Sequence, residues 1–86
     1  MTNGYYVTTW IDGAVCLTAE IHKCQFRPIA NSNQQMIEIP GLTIITGVIG
    51  AYLFLTREEA EAKVSVLNPK YTDARELLDN LGSEKQ

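Results

Sequence analysis

Basic residues are scarce in this chain. Seven Lys and Arg stand against ten Asp and Glu among 86 residues, a net charge of −3 with the one histidine neutral. A protein that grips phosphate normally presents a basic face, so a nucleic-acid partner is not expected. Cysteine is limited to Cys16 and Cys24. On one extended strand, eight residues at about 3.3 Å each hold the pair well beyond disulfide reach. A hairpin turn between them could join them, but the expectation is two reduced thiols in a cytosolic protein. Glycine and proline are not in excess, and no repeat or low-complexity tract marks a disordered segment. A chain of this length supports one core, so residues 1–86 are read as a single domain.

Charge is also missing in a more local way. Residues 1–55 hold only Asp12, Glu20, Lys23, Arg27 and Glu38, whereas 56–86 hold the other twelve charged side chains. A chain this small cannot bury most of the first segment, so part of its surface is expected to be apolar and to meet a partner, with self-association one route. From Ile39 to Thr56 there is no charge at all. That approaches the length of a membrane-spanning helix, but Pro40, Gly41, Gly47, Gly50, Thr43 and Thr46 interrupt it, so no membrane span is expected. The start MTNGYY lacks the basic and apolar blocks of a signal peptide, which points to the cytoplasm.

What is present reads as strands followed by helices. YYVTTWI, residues 5–11, is β-branched and aromatic, and Asp12-Gly13 predicts a hairpin turn in which both residues adopt positive φ. On the return run 14–26, Val15, Leu17, Ala19 and Ile21 alternate with Cys16, Thr18, Glu20 and His22, as on a strand with one inward face. RPIANSNQQ, residues 27–35, is a loop by composition. A short strand follows at Met36–Ile39 and stops at Pro40-Gly41. Residues 42–55 form one bent strand or two strands around Gly47 and Gly50.

Thr56-Arg57-Glu58-Glu59 is a capping box, with the Thr hydroxyl and Glu59 satisfying early helical donors. Ala60, Val64 and Leu67 then supply an apolar stripe, with Glu59 and Lys63 as an i, i+4 pair, until Asn68-Pro69 stops the helix. A second helix is predicted from Thr72 as N-cap to Gly82 as C′ residue, leaving residues 83–86 as a frayed tail. The fold class is thus α+β: 1–55 form a small curled antiparallel sheet or barrel of four to five strands, and 56–82 two short helices.

The Asp12-Gly13 turn and the run Phe54-Leu55-Thr56-Arg57-Glu58-Glu59-Ala60 resemble a pattern of short phage and prophage proteins of bacteria. Those proteins have an opening hairpin with such a turn, a compact β segment and an F-L-T-x-E-E-A helix. The resemblance covers residues 5–65 in pattern and about a dozen in identity, and leaves out 39–50 and the second helix. It supplies no catalytic residue. It implies a small accessory product of a mobile element that binds and modulates a host or rival protein.

Residue chemistry points the same way. Cys16, His22 and Cys24 fall short of the four ligands of a closed zinc site, and neither cysteine forms a nucleophilic dyad with His22 on sequence grounds. Capping explains Glu58 and Glu59 without an acid–base role. No phosphate loop, dinucleotide fingerprint or serine elbow is present, so neither an enzyme nor a cofactor is expected. The one basic and aromatic cluster is His22, Lys23, Phe26 and Arg27, beside Tyr5, Tyr6 and Trp10. If Val7 and Ile11 face inward, Tyr6 and Trp10 face outward as anchors for a partner protein, with Arg27, His22 and the 27–35 loop around them.

The sequence reading is therefore a non-enzymatic module that binds and inhibits or adjusts a host or mobile-element protein, with a place in bacterial defence, and that forms a homo-oligomer. Three alternatives stand beside it. An acidic helical face with Glu58, Glu61 and Asp73 could mimic a phosphate backbone. An oligomer could bind a small molecule or nucleotide near Gly47 and Gly50. The chain could also be a structural component of a virion.

Overall fold

The computed structural model describes residues 1–84, with side chains placed through Gly82. It is an α+β fold of five antiparallel strands followed by two helices: β1 Thr2–Asp12, β2 Val15–Pro28, β3 Gln35–Ile39, β4 Thr43–Gly47, β5 Leu53–Phe54, α1 Arg57–Leu67 and α2 Ala74–Glu84. The sheet order is β4-β3-β2-β1-β5, which leaves β4 and β5 as the two edges. The barrel alternative does not occur, because these edges do not pair and the sheet stays open.

The curl follows from chain connectivity. Neighbouring strands lie about 4.8 Å apart, so the edges of a flat five-stranded sheet would be separated by about 19 Å. Residues 48–52 must bridge them, yet they fold back on themselves. The Ala51 N–H donates to the Val48 carbonyl at 3.2 Å and the Gly50 N–H to the Leu53 carbonyl at 2.8 Å. Gly50 has φ +97° at this turn, a conformation that favours glycine. A link this contracted joins the edges only if the sheet curls, and it does. A methyl group placed on Gly47 of β4 would sit 3.0 Å from Ile37 Cδ1 and 3.8 Å from the Tyr6 ring on β1.

Each face of the sheet carries its own core. On the concave face Cys24, Phe26, Ile37, Ile39 and Leu53 are buried, with Tyr6 and Ile45 packed against them. On the convex face Val7, Ala19, Phe54 and Ala60 of α1 are buried, with Tyr5, Cys16, Ile21, Tyr52, Val64 and Leu67 around them. The expectation of one inward face on β2 is therefore corrected. A β-bulge between Trp10 and Ile11 sets Ile11 opposite Cys16 and Trp10 opposite Thr18, so Leu17 is the extra residue. The bulge puts Cys16 in the core with Ala19 and leaves Val15 exposed.

The hairpin turn also moves by one residue. Asp12 pairs with Val15 inside the ladder, and the two-residue loop is Gly13-Ala14, with Gly13 alone at positive φ. At the next junction Thr56 caps α1 as expected, but Glu59 reaches back to the Thr56 hydroxyl rather than to its amide. The Glu59 N–H donates to Thr56 Oγ1 at 3.2 Å, and the Thr56 hydroxyl donates to the Glu59 carboxylate at 2.9 Å. Asn68, at φ +49°, closes α1 through its N–H to the Val64 carbonyl. The i, i+4 ion pair joins Arg57 to Glu61 at 3.1 Å, while Lys63 lies 4.7 Å above the Tyr52 ring instead of reaching Glu59.

The start of α2 is likewise corrected. Asp73 is the N-cap, its carboxylate accepting from the Glu76 N–H at 2.8 Å, and Thr72 stands one residue earlier. The Glu76 carboxylate reaches back to accept from the Thr72 N–H at 2.8 Å and from the Thr72 hydroxyl. Gly82 continues the helix, as do Ser83 and Glu84, so only Lys85 and Gln86 of the expected frayed tail lie outside the described residues. Among the described residues no helix is long and apolar enough to cross a membrane.

The molecule is elongated. Its radius of gyration is 14.4 Å and it extends 51 × 25 × 22 Å, whereas a compact chain of this length has a radius of about 12 Å. Elongation leaves apolar surface uncovered. Nine of the twelve exposed large apolar side chains (Met1, Trp10, Ile11, Val15, Leu42, Ile44, Val48, Ile49 and Leu55) belong to the charge-poor first 55 residues.

Candidate functional site

The curl leaves a cleft of about 390 Å³ on the concave side, lined by Tyr6, Val7, Thr8, Thr9, Ile39, Thr43, Ile45 and Tyr52. The lining carries no formal charge. Ile39 and Ile45 form an apolar wall, and Tyr6, Tyr52, Thr8 and Thr43 bring hydroxyl groups. Burial, with Tyr52 nearby adding to it, pushes the Tyr6 phenol above its ordinary pKa of 10.0, so it stays a neutral hydroxyl able to donate.

Val7 and Thr9 line the cleft in a different way. Val7 belongs to the convex core, and Thr9, two residues on, shares its face, so both meet the cleft through main chain at the strand edge. The edge is open there. β5 pairs only with Tyr5 and Tyr6, and the last bond to that side runs from the Val7 N–H to the Tyr52 carbonyl at 2.9 Å. Alternation then turns the Thr9 N–H and carbonyl the same way, past the end of β5, where no strand of the described residues meets them. The cleft is thus an apolar slot with a free β-edge along one wall.

Tyr6, Trp10, His22 and Arg27 are not brought together as one patch. Tyr6 is half-buried against the concave core rather than standing outward. His22 lies directly across from it on β2. Thr8 Oγ1 and His22 Nε2 share a hydrogen bond of 2.9 Å, and Glu20 Oε2 is 3.8 Å from the same nitrogen. The other Glu20 oxygen accepts from the Ala74 N–H at 2.9 Å, tying this group to the first turn of α2. Trp10 continues the face of Tyr6 and Thr8 towards the hairpin tip and is 46% exposed. Arg27 lies nine residues beyond the partner of Trp10 on β2, about 30 Å away, and faces the convex side. There its guanidinium contacts Met36 Sδ at 3.4 Å. It cannot serve as a rim to Tyr6 and Trp10.

The cysteines are also separated by the sheet. Cys16 packs in the convex core and Cys24 in the concave one, where burial raises its thiol pKa. Among the described residues no three His, Cys, Asp or Glu side chains are placed to hold a metal ion. The cleft was not foreseen in the sequence, although a signal for it was present. Ile39, Thr43, Ile45 and Tyr52 all come from the uncharged 39–56 stretch, which becomes half of the lining.

No family model matches the chain, and no curated protein and no solved structure matches it either.

Proposed function

We propose that the chain is a non-enzymatic binding module that takes an extended, uncharged segment of another protein as an added strand in the concave slot. The observation that carries this reading is the free main-chain edge at Thr9 beside an apolar, charge-free wall. Strand addition uses such an edge for affinity and the adjoining pockets for alternate side chains. Ile39, Ile45 and the Tyr6 and Tyr52 rings receive the guest's apolar side chains. Trp10, exposed just beyond the slot, is the aromatic anchor, and His22 acts behind Thr8 by holding its hydroxyl. A guest held in this way is blocked from its own contacts. That fits a phage or mobile-element accessory protein that inhibits a host protein in the bacterial cytoplasm, the setting implied by the F-L-T-x-E-E-A resemblance.

The test is capture from a bacterial lysate, comparing wild type with Thr9→Pro and Trp10→Ala. Of the main-chain hydrogen-bonding groups, proline at Thr9 removes only the outward N–H, because the inter-strand bonds of β1 to β2 run through its neighbours. The expected result is one host protein held by wild type and lost by Thr9→Pro, with the melting temperature of the variant little changed. A partner held equally by Thr9→Pro excludes strand addition at this edge. The size of the cleft and its four side-chain hydroxyls favour a second reading, a small neutral ligand. A melting-temperature rise with a nucleoside and metabolite panel, and no protein captured, would select it.

A further inference from the structure

We infer that the opposite edge of the sheet, β4, is a self-association surface on which a second copy of this chain docks as an antiparallel strand. An edge strand presents a row of unpaired main-chain groups, and folded monomers usually blunt it with a charge, a proline, a bulge or a very short strand. β4 has none of these. It is Thr43-Ile-Ile-Thr-Gly47, five residues paired to β3 without a register shift. Its convex-side Ile44 is 65% exposed, and Leu42 before it and Val48 and Ile49 after it are exposed as well.

Charge selects the occupant. The chain is net negative, so two copies repel across most of their surfaces, but 39–56 carries no charge and is where they can meet without that cost. A strand of the same sequence is also self-complementary under a twofold axis. Placing the axis at Ile45 pairs all five residues: the two Ile45 face each other, Ile44 faces Thr46 and Thr43 faces Gly47. Ile45 and Thr43 line the concave cleft, so this pairing sets the clefts of the two copies side by side across the axis. β4 shares the slot only through the Thr43 and Ile45 side chains and lends no main chain to the Thr9 edge, so the inference stands whether or not that edge binds a guest.

The test is sedimentation velocity over about a hundredfold concentration range, with the melting temperature followed in parallel. Wild type is expected to dimerise. Ile44→Lys sets two like charges on one face, one residue to either side of the axis, and is expected to weaken the dimer by at least about tenfold without endangering the monomer, since Ile44 is exposed. Val66→Lys, on the exposed face of α1, and Thr9→Pro are expected to dimerise as wild type does. A wild type that stays monomeric throughout overturns the inference. So does an Ile44→Lys variant with wild-type affinity, or a Val66→Lys variant as weak as Ile44→Lys.

Discussion

The two faces of the sheet solve the same problem by different means. The convex face is covered from outside: α1 lays Ala60, Val64 and Leu67 onto Val7, Ala19 and Phe54. The concave face has no such lid over its main cluster. It must cover itself, by curling until Tyr6, Ile45 and Leu53, from three different strands, reach the same buried group around Ile37. A helix can be laid over a face completely. A curl closes a face only as far as strand twist and link length allow, and here it stops with β4 and β5 unpaired. The unclosed part is the cleft. A candidate binding site therefore arises on the part of the sheet that no helix covers.

The comparison breaks most easily at Leu53, which is fully buried at the point where the link from β4 returns to the sheet. Leu53→Ala is expected to cost about 2–5 kcal/mol in urea unfolding, because deletion loses both transfer energy and packing. A chain of this length has a total stability of about 4–13 kcal/mol, so the substitution removes a large share of it. Thr56→Ala attacks the other face through the N-cap of its helix and is expected to cost about 1 kcal/mol. Native-state amide exchange sharpens the contrast: Thr56→Ala should speed exchange in α1 while β3 and β4 keep their protection. Equal losses for the two variants, or loss of β3 protection in Thr56→Ala, would mean that the faces do not form separate packing units.

Local chemistry was legible in the sequence, and long-range geometry was not. Thr56, Asn68 and the stripe of Ala60, Val64 and Leu67 were readable because caps and helical spacing act within a few residues. The order of helices after strands was readable for the same reason. The bulge at Leu17 was not: one extra residue in a regular alternation leaves no local mark, yet it reassigned Cys16 and Val15 to new environments. Tyr6 was misplaced for a related reason. Alternation says which residues share a face, but not that both faces will be buried, and here each has its own core. Arg27 was adjacent to the aromatic cluster in sequence alone, since a long strand carries it to the far end of the sheet. The cleft depends on β4 meeting β1 across the curl, a contact fixed by the contraction of residues 48–52.

The smallest effect expected concerns α2, which touches the rest of the fold mainly through its first turn. Glu76 is held below its ordinary carboxyl value of 4.5, first by the Thr72 hydroxyl and then by the Thr72 N–H, both of which favour the ionised form. Its folded pKa lies below its unfolded one, so its contribution to stability is complete above the unfolded value. It is lost as pH falls through the folded value, because the protonated carboxyl accepts these bonds poorly. Full exposure of the carboxylate to solvent keeps the contribution small. Glu76→Gln is expected to melt slightly below wild type at neutral pH, and the gap should close as pH falls below the folded value of Glu76. The measurement is a pair of melting curves at each pH. A gap that persists in acid would show that the glutamate acts by packing on Thr72 rather than by charge. The hold of α2 on the concave side runs through the Glu20 bond to Ala74 and buried Leu77.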